Sequence, residues 1–239
     1  MRKFMLEQAP VYCLHIRKYK ETSVILECFS KNFGRVDMLG KGLLRPKNKN
    51  DLPEYFQEYH LSGIGRSELG VLTGLDLIAG KAKLYGEAWL VACYCNELLL
   101  KFLPRHEPVD TLYIAYQSIL HKLQSNKNYH LELLWYEKTL LECLGYGINF
   151  YFDAKTDDAI ESERFYLFDV ASGFRICSSQ NEHAIPGFVI YALAENSWND
   201  AYEKYFPAIK KVIRSALKYQ LGDMQLKTVA VSNDLKQFV

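Results

Sequence analysis

The chain carries no motif that would place a reactive group. A Walker A phosphate loop is absent. Gly63-x-Gly65 lacks the third glycine and the strand–turn–helix setting of a dinucleotide site, so nucleotide hydrolysis and hydride transfer have no home here. There is no GxSxG elbow for a serine nucleophile. The histidines (His15, His60, His106, His121, His130 and His183) form neither HxxxH nor HExxH, which excludes the helical zinc pattern. No CxxC occurs among Cys13, Cys28, Cys93, Cys95, Cys143 and Cys177. Cys93 and Cys95 sit two apart on a predicted helix, so they point to different faces and cannot share a metal. Asp157-Asp158 lies in a polar stretch, where paired carboxylates serve solvation. The sequence therefore predicts no catalytic residue, no metal and no cofactor. It also lacks a secretory apolar core and any run of 18 apolar residues. That predicts a cytoplasmic protein with buried, reduced thiols.

What the chain does have is zoned charge. The net charge is only +1. Residues 1–50, however, hold eleven Lys/Arg against four Asp/Glu. Residues 151–203 hold three against ten, and residues 204–239 seven against two. A molecule basic at both ends of its sequence and acidic between them points to a polyanionic partner more than its overall pI does.

Periodicity divides the chain at about residue 80. Residues 9–18, 22–30, 35–40, 55–62 and 69–78 read as short strands, rich in β-branched and aromatic residues. Turns at Lys31–Gly34 and Gly63–Arg66 separate some of them. Five such strands in so short a stretch predict a small barrel. Beyond Gly80 the apolar residues recur at helical spacing. Helices are expected from about Leu84 to Phe102, 108 to 123, 129 to 144, 186 to 195 and 202 to 221, with room for a last one after Asp223. Pro104 closes the first, and Gly145 caps the third. Residues 151–185 form an acidic insertion with a short hairpin at 165–170 and 174–177. The expected plan is α+β: a barrel over 1–80, then a helical domain over 81–239.

One stretch concentrates the basic charge. After the strand at 35–40 the chain enters a loop with Lys41, Arg45, Lys47 and Lys49, punctuated by Gly40, Gly42 and Pro46. Cations so close repel one another, and an anionic partner relieves that repulsion. A solvated surface loop is the plain alternative. A barrel groove binds single strands through cations on the backbone and aromatics under the bases. Tyr12, Tyr19, Phe29, Phe33, Tyr55, Phe56 and Tyr59 interleave here with Arg17, Lys18, Lys20, Arg35 and Lys41. Most of those rings belong in a core; Tyr19, between two lysines, is the one expected to be exposed for stacking. Phosphate contacts are expected from Arg17, Arg35, Lys41 and Arg45, with Lys47 and Lys49 extending the loop.

The order of short motifs resembles the RecO family of bacterial recombination mediators. The matching pieces are His15-x-Arg17, Glu21-Thr22-Ser23, Gly34-Arg35-Val36, and Gly40-Lys41-Gly42 with Arg45. Further on come Gly65-Arg66-x-Glu68-Leu69, Leu72-Thr73 and Asn96-Glu97-Leu98-Leu99. Leu144 to Phe150, Ala216-Leu217-Lys218, Leu221-Gly222 and Leu226-Lys227 complete the set. The resemblance implies an OB-fold N-terminal domain, a helical C-terminal domain and no catalytic centre. It implies binding of single- and double-stranded DNA and annealing of complementary strands in repair and recombination. It also implies cooperation with RecR, with the C-terminal tail of single-strand-binding protein (SSB), and with RecA. Some members carry a four-cysteine zinc site in the insertion; here only Cys177 is available, so no metal is expected.

An SSB-type tail is a short acidic peptide with an apolar end, and it needs an apolar pocket rimmed by cations. Lys210, Arg214 and Lys218 recur every four residues and share one helix face. Leu134, Trp135 and Lys138 are the expected neighbouring wall. Where the family has basic residues ahead of the third helix's core segment, this chain has Leu134 and Trp135, so the later helix must supply most of the cations. A charged stripe is also what any solvated helix face looks like. A rival reading makes the whole chain a protein-interaction scaffold, with nucleic-acid binding by the barrel incidental.

Overall fold

A computed structural model of the chain describes residues 4–46, 51–65, 68–78, 83–125 and 128–231. Five strands come first: β1 (Phe4–Tyr19), β2 (Ser23–Ser30), β3 (Gly34–Gly40), β4 (Glu58–Gly65) and β5 (Leu69–Leu77). They close a barrel in the order β1-β2-β3-β5-β4, with β4 returning to β1. All pairs are antiparallel except β3 with β5. This is the Greek-key barrel of an OB-fold. The 16-residue β1 serves both neighbours. Its first half pairs with β4 and its second with β2, and register shifts at Leu6/Ala9 and Cys13/His15 bend it between them. Leu6, Val11, Leu26, Val36, Met38 and Leu61 fill the interior.

The fourth strand lies about three residues later than its sequence suggests. Gly63 and Gly65 look like turn residues, but both are in β4. A Cβ at Gly63 would lie 2.2 Å from the Met38 Cε, and one at Gly65 would lie 2.1 Å from the Phe4 ring. Those glycines let neighbouring side chains lie flat on the strand. The strand starts late because Tyr55 and Phe56, expected to be its first residues, form a turn, with Phe56 at a φ of 64°.

β2 is buried along almost its whole length. Two helices follow the barrel, α1 (Gly86–Phe102), which packs on β1, and α2 (Asp110–Gln124), which lies over β1 and β2. Tyr113 and Tyr116 of α2 set their rings against Tyr12 and Phe29 at centroid distances of 5.1 to 6.1 Å. Asn96 of α1 donates to the Leu14 carbonyl at 3.0 Å and accepts from the Tyr116 hydroxyl. By packing, then, the barrel, α1, α2 and residues 226–231 belong to one compact unit, and His130–Gln225 makes another. A division at residue 80 follows the change from strand to helix and is a different cut.

The second unit contains α3 (His130–Cys143), a small sheet, α4 (Gly187–Ala194), a 3-10 turn at Asp200–Tyr205, and α5 (Phe206–Leu221). The sheet has the order β7-β6-β8, from β6 (Phe165–Asp169), β7 (Gly173–Cys177) and β8 (Ile185–Pro186). Asp153 fastens the acidic insertion to it, accepting from the N–H groups of Lys155, Thr156 and Ile176 at 2.6 to 3.1 Å. On α5, Ile209, Val212, Ile213, Ala216, Leu217 and Leu221 form the buried face at helical spacing. Among the described residues no helix is long and apolar enough to cross a membrane.

Candidate nucleic-acid interface

The pairing of β1, β2 and β3 decides which cations meet. Tyr19 pairs with Ser23 and Val24 pairs with Gly40, so the end of β1 and the end of β3 lie at the same end of the barrel. The loop after β3 folds back on the β1–β2 turn. There the Leu44 N–H donates to the Thr22 carbonyl at 3.0 Å, and the Gly42 N–H reaches the Ser23 hydroxyl at 3.5 Å. Gly42 sits at φ 74°, which suits glycine, and Leu43 and Leu44 pack partly into the barrel core. The apolar side chains therefore pin the loop while Lys41 and Arg45 remain exposed.

Four sequence candidates thus come together: Arg17, Tyr19, Lys41 and Arg45. Tyr19 is 37% exposed, and the Lys20 ammonium lies 5.5 Å from its ring centre. Of the seven barrel aromatics, Tyr12, Phe29, Phe56 and Tyr59 are buried, Phe33 and Tyr55 are half-buried, and Tyr19 alone is exposed. Arg17 is exposed but partly engaged, its Nε standing 3.2 Å from the Glu27 carboxylate. Lys18 and Lys20 are exposed at the same end. The signal for them was their place on either side of Tyr19. Lys47 and Lys49 lie outside the described residues.

Arg35 is placed otherwise. Its guanidinium is half-buried and Nη1 donates to the Leu100 carbonyl at the end of α1. Its backbone forms a bridge with Arg105, and the His106 N–H donates to the Arg35 carbonyl at 3.0 Å. Burial, then the neighbouring Arg105 charge, lowers its pKa, the reverse of what a phosphate-binding surface arginine experiences. Arg105 in turn grips Asp37, with Nη2 at 2.8 Å and Nε at 3.1 Å from Oδ2. Gly34 makes room for this crossing, since a Cβ there would meet the Glu107 carbonyl at 2.1 Å. Arg35 thus fastens α1 to the barrel and does not face solvent with the loop cations. Proximity in sequence to the basic loop made it look like one of them.

The expected partner residues of the second unit are also sorted by the structure. Leu134 is fully buried, and Trp135 half-buried. Lys138 is 4% exposed; its ammonium donates to the Ala194 carbonyl at 3.1 Å and to Asn196 Oδ1 at 3.0 Å, and pairs with Glu142 at 3.0 Å. It therefore closes the end of α4 from within and forms no part of an open wall. On α5, Arg214 and Lys218 are exposed and Lys210 half-buried. Arg214 stands 3.6 Å from the buried Glu137 of α3. Among the described residues no group of three or more His, Cys, Asp or Glu is placed to hold a metal ion.

Comparison with known proteins matches both parts of the chain to one family. The N-terminal model of recombination protein O covers residues 4–80, and its C-terminal model covers residues 85–230. The chain belongs to the RecO family. Among its relatives is the DNA repair protein RecO of Nitrosococcus oceani, 33% identical over 231 residues, which span 95% of this chain and 93% of the relative. That of Xylella fastidiosa is 30% identical over 94% of each chain. That of Coxiella burnetii is 35% identical, over 92% of this chain and 94% of the relative. The similarity therefore runs through the barrel, the helices and the insertion alike.

Proposed function

We propose that this protein is a non-catalytic mediator of recombinational DNA repair. It binds DNA strands through the basic end of its barrel, anneals complementary single strands, and helps load a recombinase onto DNA coated with SSB. The observation that carries this reading is the fold-back of the 41–46 loop onto the β1–β2 turn, which sets Lys41 and Arg45 with Tyr19 and Lys20 on one exposed rim. Annealing requires two polyanions to be held together with their repulsion screened. Cations and a stacking ring supply that, and no acid, base or nucleophile is needed. Arg17 joins the rim when a phosphate displaces Glu27, Lys47 and Lys49 extend it, and Arg35 is left out.

RecR, RecA and the SSB tail are the proposed protein partners, on the strength of the family, and the cytoplasm is the proposed compartment. For the tail, the remaining support is the α5 stripe of Lys210, Arg214 and Lys218, on a helix that packs against α3. Lys138 is spent internally. Reversing Arg214 would set a carboxylate against Glu137, so the informative variant is Lys210→Glu with Lys218→Glu. A labelled tail peptide should bind that variant more weakly than the wild type; equal affinity would remove α5 from the tail site.

The function itself is tested by fluorescence-monitored annealing of complementary oligonucleotides, with and without SSB, in the absence of ATP. Annealing faster than the spontaneous rate is expected, and the Lys41→Glu, Arg45→Glu variant should lose most of it. Annealing at the spontaneous rate with folded wild-type protein would contradict the proposal.

A further inference from the structure

An aromatic cluster tied to β1 is used by none of the phosphate-contact reasoning. The chain leaves the basic loop and reaches Tyr55 and Phe56 just before β4. Both rings meet Trp89, which is in the first turn of α1. The Phe56 and Trp89 centroids are 4.9 Å apart and the Tyr55 and Trp89 centroids 6.4 Å, each pair at 85°. Trp89 is 40% exposed, and Tyr85, one turn earlier at the start of the helix, is 72% exposed. The cluster is rigidly held. The Tyr55 hydroxyl accepts from the Ile16 N–H at 3.2 Å, and Phe56, itself buried, has a φ of 64°, a conformation that a bulky residue adopts only when its surroundings impose it.

We propose that Trp89, with Tyr85, is a second base-stacking platform that extends the single-strand path away from Tyr19. This inference rests on the reading of the rim as a DNA interface. Ile16, which anchors Tyr55, is three residues from Tyr19 on β1, or about 10 Å along the strand. Arg17 and Lys18 lie between them and are exposed. Trp89 lies beyond Ile16 by the Tyr55 ring and a further 6.4 Å between centroids, so a single strand of several nucleotides sets its phosphates at the cations and its bases at the two aromatic positions. The charged surroundings disfavour an apolar protein segment as the occupant. The exposed residues flanking the cluster in sequence are Glu54, Lys83 and Glu87, whereas a docking helix or strand needs continuous apolar area. The Glu87 carboxylate is bound by the Tyr129 hydroxyl. An indole half out of the surface, braced edge-on by two other rings, offers a face to any base and reads none of them.

The test uses the full chain with Trp135→Phe and Trp198→Phe, so that Trp89 is the sole tryptophan. Short oligothymidylate is titrated while Trp89 fluorescence and the anisotropy of a dye on the oligonucleotide are both followed. The proposal expects the fluorescence to be quenched in step with the rise in anisotropy. A duplex of the same length, whose bases are already stacked, should leave Trp89 bright. Separately, Trp89→Ala in the otherwise native chain should weaken single-strand affinity by about fivefold or more, at roughly 1–3 kcal/mol per stacked base. A rise in anisotropy with unchanged Trp89 fluorescence would overturn the platform and leave the rim intact. No rise in anisotropy would remove both. Quenching by a partner protein with none by the oligonucleotide would assign the cluster to protein docking instead, and overturn the proposal.

Discussion

Arg35 and Arg105 form a backbone bridge to each other, yet each has a different structural task. Arg105 neutralises Asp37, which is almost fully buried, while Arg35 caps a carbonyl at the end of α1. Removing Arg105 leaves a buried carboxylate without its counter-charge. Because the arginine itself is partly in water, the expected cost of Arg105→Ala is about 2 kcal/mol, between the values for exposed and buried pairs. Urea denaturation measures it. Arg35→Ala separates the structural role from a phosphate role: the urea midpoint should fall while oligonucleotide affinity and its salt slope stay as in the wild type. A lowered slope would return Arg35 to the interface. Lys138 is the counterpart in the second unit. Lys138→Met should cost about 1–3 kcal/mol, since it leaves the Ala194 carbonyl and Asn196 without their donor.

At the scale of elements, the contact between α1 and the turn at 227–231 is pH-sensitive. Glu97 of α1 accepts from the N–H groups of Lys227 and Thr228 at 2.8 and 3.0 Å and from the Thr228 hydroxyl at 2.7 Å, so it caps the helical turn at 227–231. Burial pushes its pKa up, but these donors and Lys101 together outweigh burial and leave it below the ordinary glutamate value. A lowered folded pKa means that the stabilisation is complete above the unfolded glutamate pKa. It is lost as pH falls through the lower folded value. Hydrogen exchange at 227–231 should therefore quicken on acidification below the usual glutamate range, relative to its intrinsic rate. Glu97→Gln should show faster exchange at neutral pH and no such pH step. The sequence shows α1 and α5 clearly, because their apolar residues keep helical spacing, and the five strands, because β-branched and aromatic residues cluster between turns. It does not show β8, whose two residues carry no period, or the end of β4, where glycines serve packing instead of turning. Nor does it show that α2 lays Tyr113 and Tyr116 over β1 and β2, because that burial depends on contacts far apart in sequence. For the same reason Arg35 and Lys138 resemble surface cations when read locally. Tyr19, Lys41 and Arg45 were legible because charged and turn-forming neighbours keep them at the surface whatever the tertiary packing.

For the whole molecule, the central claim is that one end of the barrel is a phosphate-binding rim, although the chain as a whole is nearly neutral. Neutrality overall and affinity for a polyanion are compatible because the charge is zoned. The rim gathers Arg17, Lys18, Lys20, Lys41 and Arg45, while the acidic residues concentrate in the 151–203 stretch. Binding through such a rim releases counterions in proportion to the phosphates met, and is indifferent to sequence. The most direct measurement is single-strand affinity as a function of salt. With three to five contacts at about 0.7 each, the log–log slope for the wild type should be roughly −2 to −3.5. Lys41→Glu with Arg45→Glu should weaken binding alike for all oligonucleotide sequences and flatten the slope by about 1.4. A slope near zero for the wild type, or the same affinity and slope in the folded double variant, would contradict the account.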